Sequence, residues 1–148
     1  MRVTKLSNGL TFISYPIQHA KSVEMGLYIK AGSRYETKSN NGITHLLEHI
    51  HFRQLGDMTQ EVIYQEAECM GSSLRGITYK EMMNFHMKVR SKYLERSLSF
   101  FEKILTTFNW TDEQLESEKK IVFNELYEKE DEQELQLISD ETIWQDHS

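Results

Sequence analysis

Val23, Met25, Leu27 and Ile29 fall on alternate positions of "SVEMGLYIKAGS", a period of two that predicts a strand with one buried face. Ahead of it, "RVTKLSNGLTFISYPI" has β-prone residues on both sides of Asn8-Gly9 and predicts a hairpin. After Asn40-Asn41-Gly42 the spacing turns helical, from about Ile43 to Arg53. A second helix fits "TQEVIYQEAECM", with Thr59 as its cap and Gly71 as its stop. Alternation returns in "SSLRGITYKEMMNFHMKVR", which predicts two strands around Tyr79-Lys80. Two helices close the chain, one over Tyr93 to Phe108 and a long one from Thr111 into the acidic tail. Thr111 and Gln114 have the spacing of a capping box. Strands come first and helices are interleaved afterwards, so the expected fold is α+β, a partly antiparallel sheet packed with helices in a single domain over 1–148.

Composition narrows the function. The chain has 148 residues, 39% hydrophobic and 27% charged, which describes a folded globular protein. One proline and seven glycines leave no Pro/Gly-rich linker. A net charge of -6 argues against nucleic acid as a partner, because phosphate contacts need a basic face. From Thr111 onward thirteen acids face three lysines, the mark of a solvated helix. Cys69 stands alone, so no internal disulfide forms, and it is expected as a buried inert thiol. "MRVTKLSNGLTF" lacks the apolar core of a signal peptide, and no stretch approaches the ~20 apolar residues of a membrane span. The expectation is a cytoplasmic protein with no membrane partner.

The chemistry gathers in "NNGITHLLEHIHFRQ". On a helix turning by about 100° per residue, with His45 at zero, His49 falls near 40°, Phe52 near -20° and Glu48 near -60°. The aliphatic residues Leu46, Ile50, Ile43 and Leu47 hold another arc. His51, at about 240°, lies outside the cluster and is expected at the surface or in a second layer. Two histidines at i and i+4 suit two ligands of one tetrahedral ion, although they also fit the solvated face of an amphipathic helix. The spacing H-x-x-E-H, as His45-Leu46-Leu47-Glu48-His49, is more specific and mirrors the H-E-x-x-H zinc motif.

A catalytic zinc site needs a third protein ligand and leaves a fourth position for water. The last helix offers candidates. Glu118 and Glu125 differ by only about 20° on the wheel and lie amid Leu115, Ile121, Val122 and Leu126. Carboxylates in an apolar stripe are either partnered in the core or form its solvated rim, since a buried unpartnered carboxylate is costly.

These residues resemble the pitrilysin/insulysin family of zinc metallopeptidases, the inverzincins, to which mitochondrial processing peptidase belongs. The likeness extends over essentially the whole chain, through "VTKLSNGLTF", "AGSRYE" and "LESEKKIVFNEL". The resemblance implies that His45, His49 and Glu125 ligate one Zn2+ per chain. It implies that Glu48 is the general base and that Glu118 supports a ligand histidine. The strand Arg75-Gly76-Ile77-Thr78 would pair with an extended peptide substrate.

Three departures from the family stand out. Asn-Ala before the threonine is commonly found where this chain has Arg75-Gly76, and Phe52-Arg53-Gln54-Leu55 replaces "FKGT". Family members also continue beyond "IWQDHS" to a second, similar domain that carries an Arg/Tyr pair near the substrate carbonyl. The chain is therefore expected to be a piece of such an enzyme, a truncated metal-binding half, or a split subunit needing another chain. The expected activity is zinc-dependent hydrolysis of extended peptides or leader segments. Its rival is a non-catalytic scaffold subunit with a structural zinc, although such sites are usually closed by four protein ligands.

Overall fold

The alternating and helical stretches become seven strands and four helices among the described residues of this computed structural model, 1–127 and 138–139. Strands β1 (Arg2–Lys5) and β2 (Thr11–Ser14) form an antiparallel hairpin around Gly9, whose φ of 88° is readily reached only without a Cβ. The Asn8 side chain accepts the Leu10 N–H at 3.1 Å and closes the turn. The main sheet has the order β3-β7-β6, antiparallel throughout: β3 is Ser22–Ile29, β7 Met83–Arg90 and β6 Arg75–Thr78. Strand β6 is therefore an edge, with no strand on its far side among the described residues.

One face of the sheet carries the core. Met83, Phe85, Met87 and Val89 of β7 are all buried, as strict alternation requires. Against them lie α2 (Gln60–Cys69), through Ile63 and Ala67, and α3 (Leu94–Thr106), through Phe100, Phe101 and Ile104. Helix α1 (Ile43–Arg53) covers the Phe85 end, packs against α4 (Asp112–Tyr127), and continues into a short ribbon of β4 (Gln54–Leu55) and β5 (Met58–Thr59).

Local signals predicted the helix ends well. Thr111 and Gln114 exchange bonds reciprocally, 2.9 and 3.2 Å. Gly71, at φ 67°, ends α2 as Ser72 N–H reaches back to the Ala67 carbonyl at 3.0 Å. Thr59 holds the N-cap position of α2 but makes no side-chain cap bond. Any extension of the last helix past Tyr127 lies outside the described residues. Cys69 corrects an expectation, for it is exposed. The buried side of α2 runs through Ile63, Ala67 and Met70, and Cys69, two residues from Ala67, points the other way. No described helix is long and apolar enough to cross a membrane.

Candidate metal centre

Helix α1 starts at Gly42, whose φ of 87° brings the chain into the first turn. Its free N–H groups are satisfied from a distance. Glu36 Oε2 accepts the Gly42 N–H at 2.7 Å, and Oε1 accepts the Thr44 N–H at 2.8 Å. Burial pushes the Glu36 carboxyl up, but the bonds from Thr44 and Gly42, with His45 nearby, outweigh it and hold the group below its ordinary value. The wheel missed Glu36 because a cap supplied across a loop has no fixed spacing. Its only trace in the sequence is the last residue of "AGSRYE".

One turn into the helix, His45 Nε2 and His49 Nε2 lie 3.1 Å apart, their rings nearly perpendicular at 88°. Glu125 Oε2, from α4, stands 3.6 Å from the first nitrogen and 3.4 Å from the second. A tetrahedral ion with bonds of ~2.0–2.1 Å sets its ligand atoms ~3.3–3.4 Å apart, so the three converging atoms have the spacing and the N,N,O chemistry of a zinc site. The His45 and Glu125 side chains are 37% and 45% exposed, so the cluster opens to solvent on one side.

The two carboxylates of the α4 stripe separate. Glu125 is at the exposed end, whereas Glu118 is only 3% exposed. Arg53 Nε donates to Glu118 Oε1, and Arg53 Nη1 donates to Gln60 at 2.9 Å. Glu118 Oε2 lies 3.5 Å from His49 Nδ1, the ring nitrogen turned away from the cluster. A buried charge is thus held between a cation and an imidazole, which offsets its lost hydration.

Glu48 sits beside His49 and shares with it a cleft of about 320 Å³, walled by Phe52, Arg53, Tyr64 and Ile121. Its Oε2 accepts the Thr78 hydroxyl at 2.6 Å. Gly76 lies against the same side chain. Of the four β6 residues expected to meet a peptide, Gly76 and Thr78 turn toward α1, while Arg75 and Ile77 are exposed. The structure brings the first pair into the site and leaves the second outside.

His51 stays out of the cluster, as the wheel indicated, but it is buried rather than at the surface. Nδ1 lies 2.5 Å from the Leu47 carbonyl and Nε2 3.2 Å from that of Ile104, with Phe85, Phe108 and Trp110 around the ring. Burial lowers its pKa against the pull of the two carbonyls, and the neutral ring has one N–H to give between them. Its wheel angle borders the aliphatic arc, and partners from α3 and the following loop make that side an interior.

A sequence profile of the family described as Insulinase (Peptidase family M16) matches residues 12–147. The chain belongs to this family. It is 30% identical over 129 residues to a protein of Rickettsia bellii named an uncharacterized zinc protease, covering 87% of this chain and 31% of that one. To the mitochondrial-processing peptidase subunit beta of Bos taurus it is 35% identical over 129 residues, covering 87% of this chain and 26% of the relative. The M16 chain thus spans about a quarter to a third of the length of these relatives. The fold agrees with the crystal structure of a protease from Helicobacter pylori at a TM-score of 0.79, with 24% identity, over 84% of this chain and 30% of that one. The α+β expectation therefore holds.

Proposed function

We propose that this chain is the metal-holding part of an M16 zinc endopeptidase that cuts extended peptides or leader segments with the help of a second family domain or partner subunit. Residues 1–148 form one unit of it, in a cytoplasmic setting that fits the lone Cys69. The observation that carries the reading is the convergence of His45, His49 and Glu125 at tetrahedral spacing, with Glu48 lining the adjoining cleft. The names of the two relatives, a zinc protease and a processing peptidase subunit, support it.

In this reading His45, His49 and Glu125 would hold the ion, and Glu118 would steady the His49 ring through Nδ1. Zinc, when bound, supplies Lewis acidity toward the scissile carbonyl and toward water. Glu48 takes the proton of the attacking water on its carboxylate and returns it to the leaving amine. An extended peptide adds to the free edge of β6 through backbone bonds, which brings its scissile carbonyl to the cleft. Its outward side chains then meet Arg75 and Ile77.

Metal content is the direct test. The purified protein should hold about one zinc per chain, and Glu125→Gln should lose most of it, because a three-ligand site becomes a two-ligand one. A preparation that stays metal-free after zinc is supplied would sink the reading. Stoichiometric zinc with no cleavage in any assembly would favour the scaffold subunit instead.

A further inference from the structure

We propose that Thr78 is a positioning residue that holds the carboxylate of Glu48 in the cleft. The proposal rests on the reading of Glu48 as the base. A glutamate on a helix surface has three side-chain torsions and no intrinsic reason to keep one arrangement. Here β6 removes that freedom. The Thr78 hydroxyl donates to Oε2 at 2.6 Å, a short charge-assisted bond. Thr78 is itself stiff at χ1, and its backbone is paired opposite Met83 of the central strand. Two residues earlier on the same face of β6, a Cβ at Gly76 would stand 2.7 Å from Glu48 Cγ, 2.8 Å from Oε1 and 2.8 Å from the Phe52 ring. Gly76 thus lets the strand lie close against the Glu48 side chain and the Phe52 ring, and a methyl group there would be met by a small shift of either. One strand face thus lies against the side chain at Gly76 and supplies a donor at Thr78, and Oε2 is engaged while Oε1 remains to take a proton. Because β6 is also the free edge, one four-residue strand would carry both peptide docking and base placement.

The test uses acetohydroxamate, which binds a site zinc and donates a hydrogen bond to a neighbouring carboxylate. Thr78→Val, which removes only the hydroxyl donor, should weaken acetohydroxamate binding to the zinc-loaded protein about tenfold, the usual worth of a bond to a charged group. Thr78→Ser should restore it. Zinc affinity, read by chelator competition, should stay level in both. In the metal-free protein, the Glu48 carboxyl 13C resonance, identified by its loss in Glu48→Gln, should move in Thr78→Val and return in Thr78→Ser. Undiminished acetohydroxamate binding in Thr78→Val, with that resonance unmoved, overturns the proposal. So does a loss of zinc affinity in step, which would make Thr78 a general support of the site. A protein that takes up no zinc defeats the peptidase reading alone, and the carboxyl resonance still decides whether Thr78 holds Glu48.

Discussion

Glu48 and His49 are neighbours in one helix, yet their surroundings differ. His49 Nε2 points at His45 and Glu125, whereas the Glu48 carboxylate is turned to Thr78. Glu48→Gln should therefore keep the zinc and, in an active assembly, reduce peptide cleavage by at least ~10²-fold, the usual contribution of a general base. His49→Ala should lose zinc and cleavage together. Metal analysis alongside a peptide assay separates the two, and zinc release by Glu48→Gln as ready as by His49→Ala would undo this division of labour. The histidine spacing was legible because i and i+4 share a helix face whatever else the protein does. The burial of His51 was not, because it depends on Phe85, Phe108 and Trp110, which arrive from distant parts of the chain.

At the scale of elements, α1 is placed at its N-terminus by Glu36. The carboxylate binds two first-turn N–H groups and is held below its ordinary pKa, so its stabilisation is fully present above the ordinary glutamate value, near pH 4.5. It is lost as pH falls through the lower folded value. Glu36→Ala should cost about 1 kcal/mol at pH 7, the ordinary worth of a helix cap. In denaturant melts the gap between the two proteins should narrow below about pH 4.5 and close in stronger acid. A gap that does not change with pH would show that the carboxylate charge is not what secures the helix. The Thr111–Gln114 box was legible because its partners are three residues apart, while the Glu36 cap crosses a loop and was not.

For the whole molecule, the His45–His49–Glu125 cluster opens to solvent, and α1 supplies no uncommitted Arg or Lys toward a developing oxyanion. Arg53, the one arginine or lysine of that helix, is engaged by Glu118 and Gln60. Losing one oxyanion donor typically costs ~10²–10³ in rate, and an open half-site also leaves the peptide poorly ordered. The chain alone should therefore bind zinc but cleave peptides slowly or not at all. Adding a complementary M16 domain as a separate subunit should restore turnover. Cleavage measured across a concentration series, with molecular size followed in parallel, checks this. Robust turnover by a proven monomer would show that the chain is self-sufficient.

The sequence by itself determined the order of the elements apart from the short β4–β5 ribbon, the H-x-x-E-H face of α1 and the choice of α4 as the source of a further carboxylate. Those properties follow from helical and strand periods, which act over a few residues. Tertiary structure alone decided that Glu125 joins His45 and His49 while Glu118 is buried against Arg53, because that choice depends on where α4 docks on α1. It also decided that Gly76 and Thr78 face Glu48 and Arg75 and Ile77 face solvent. A strand's period puts alternate residues on opposite faces, but only packing against a helix says which face is inside.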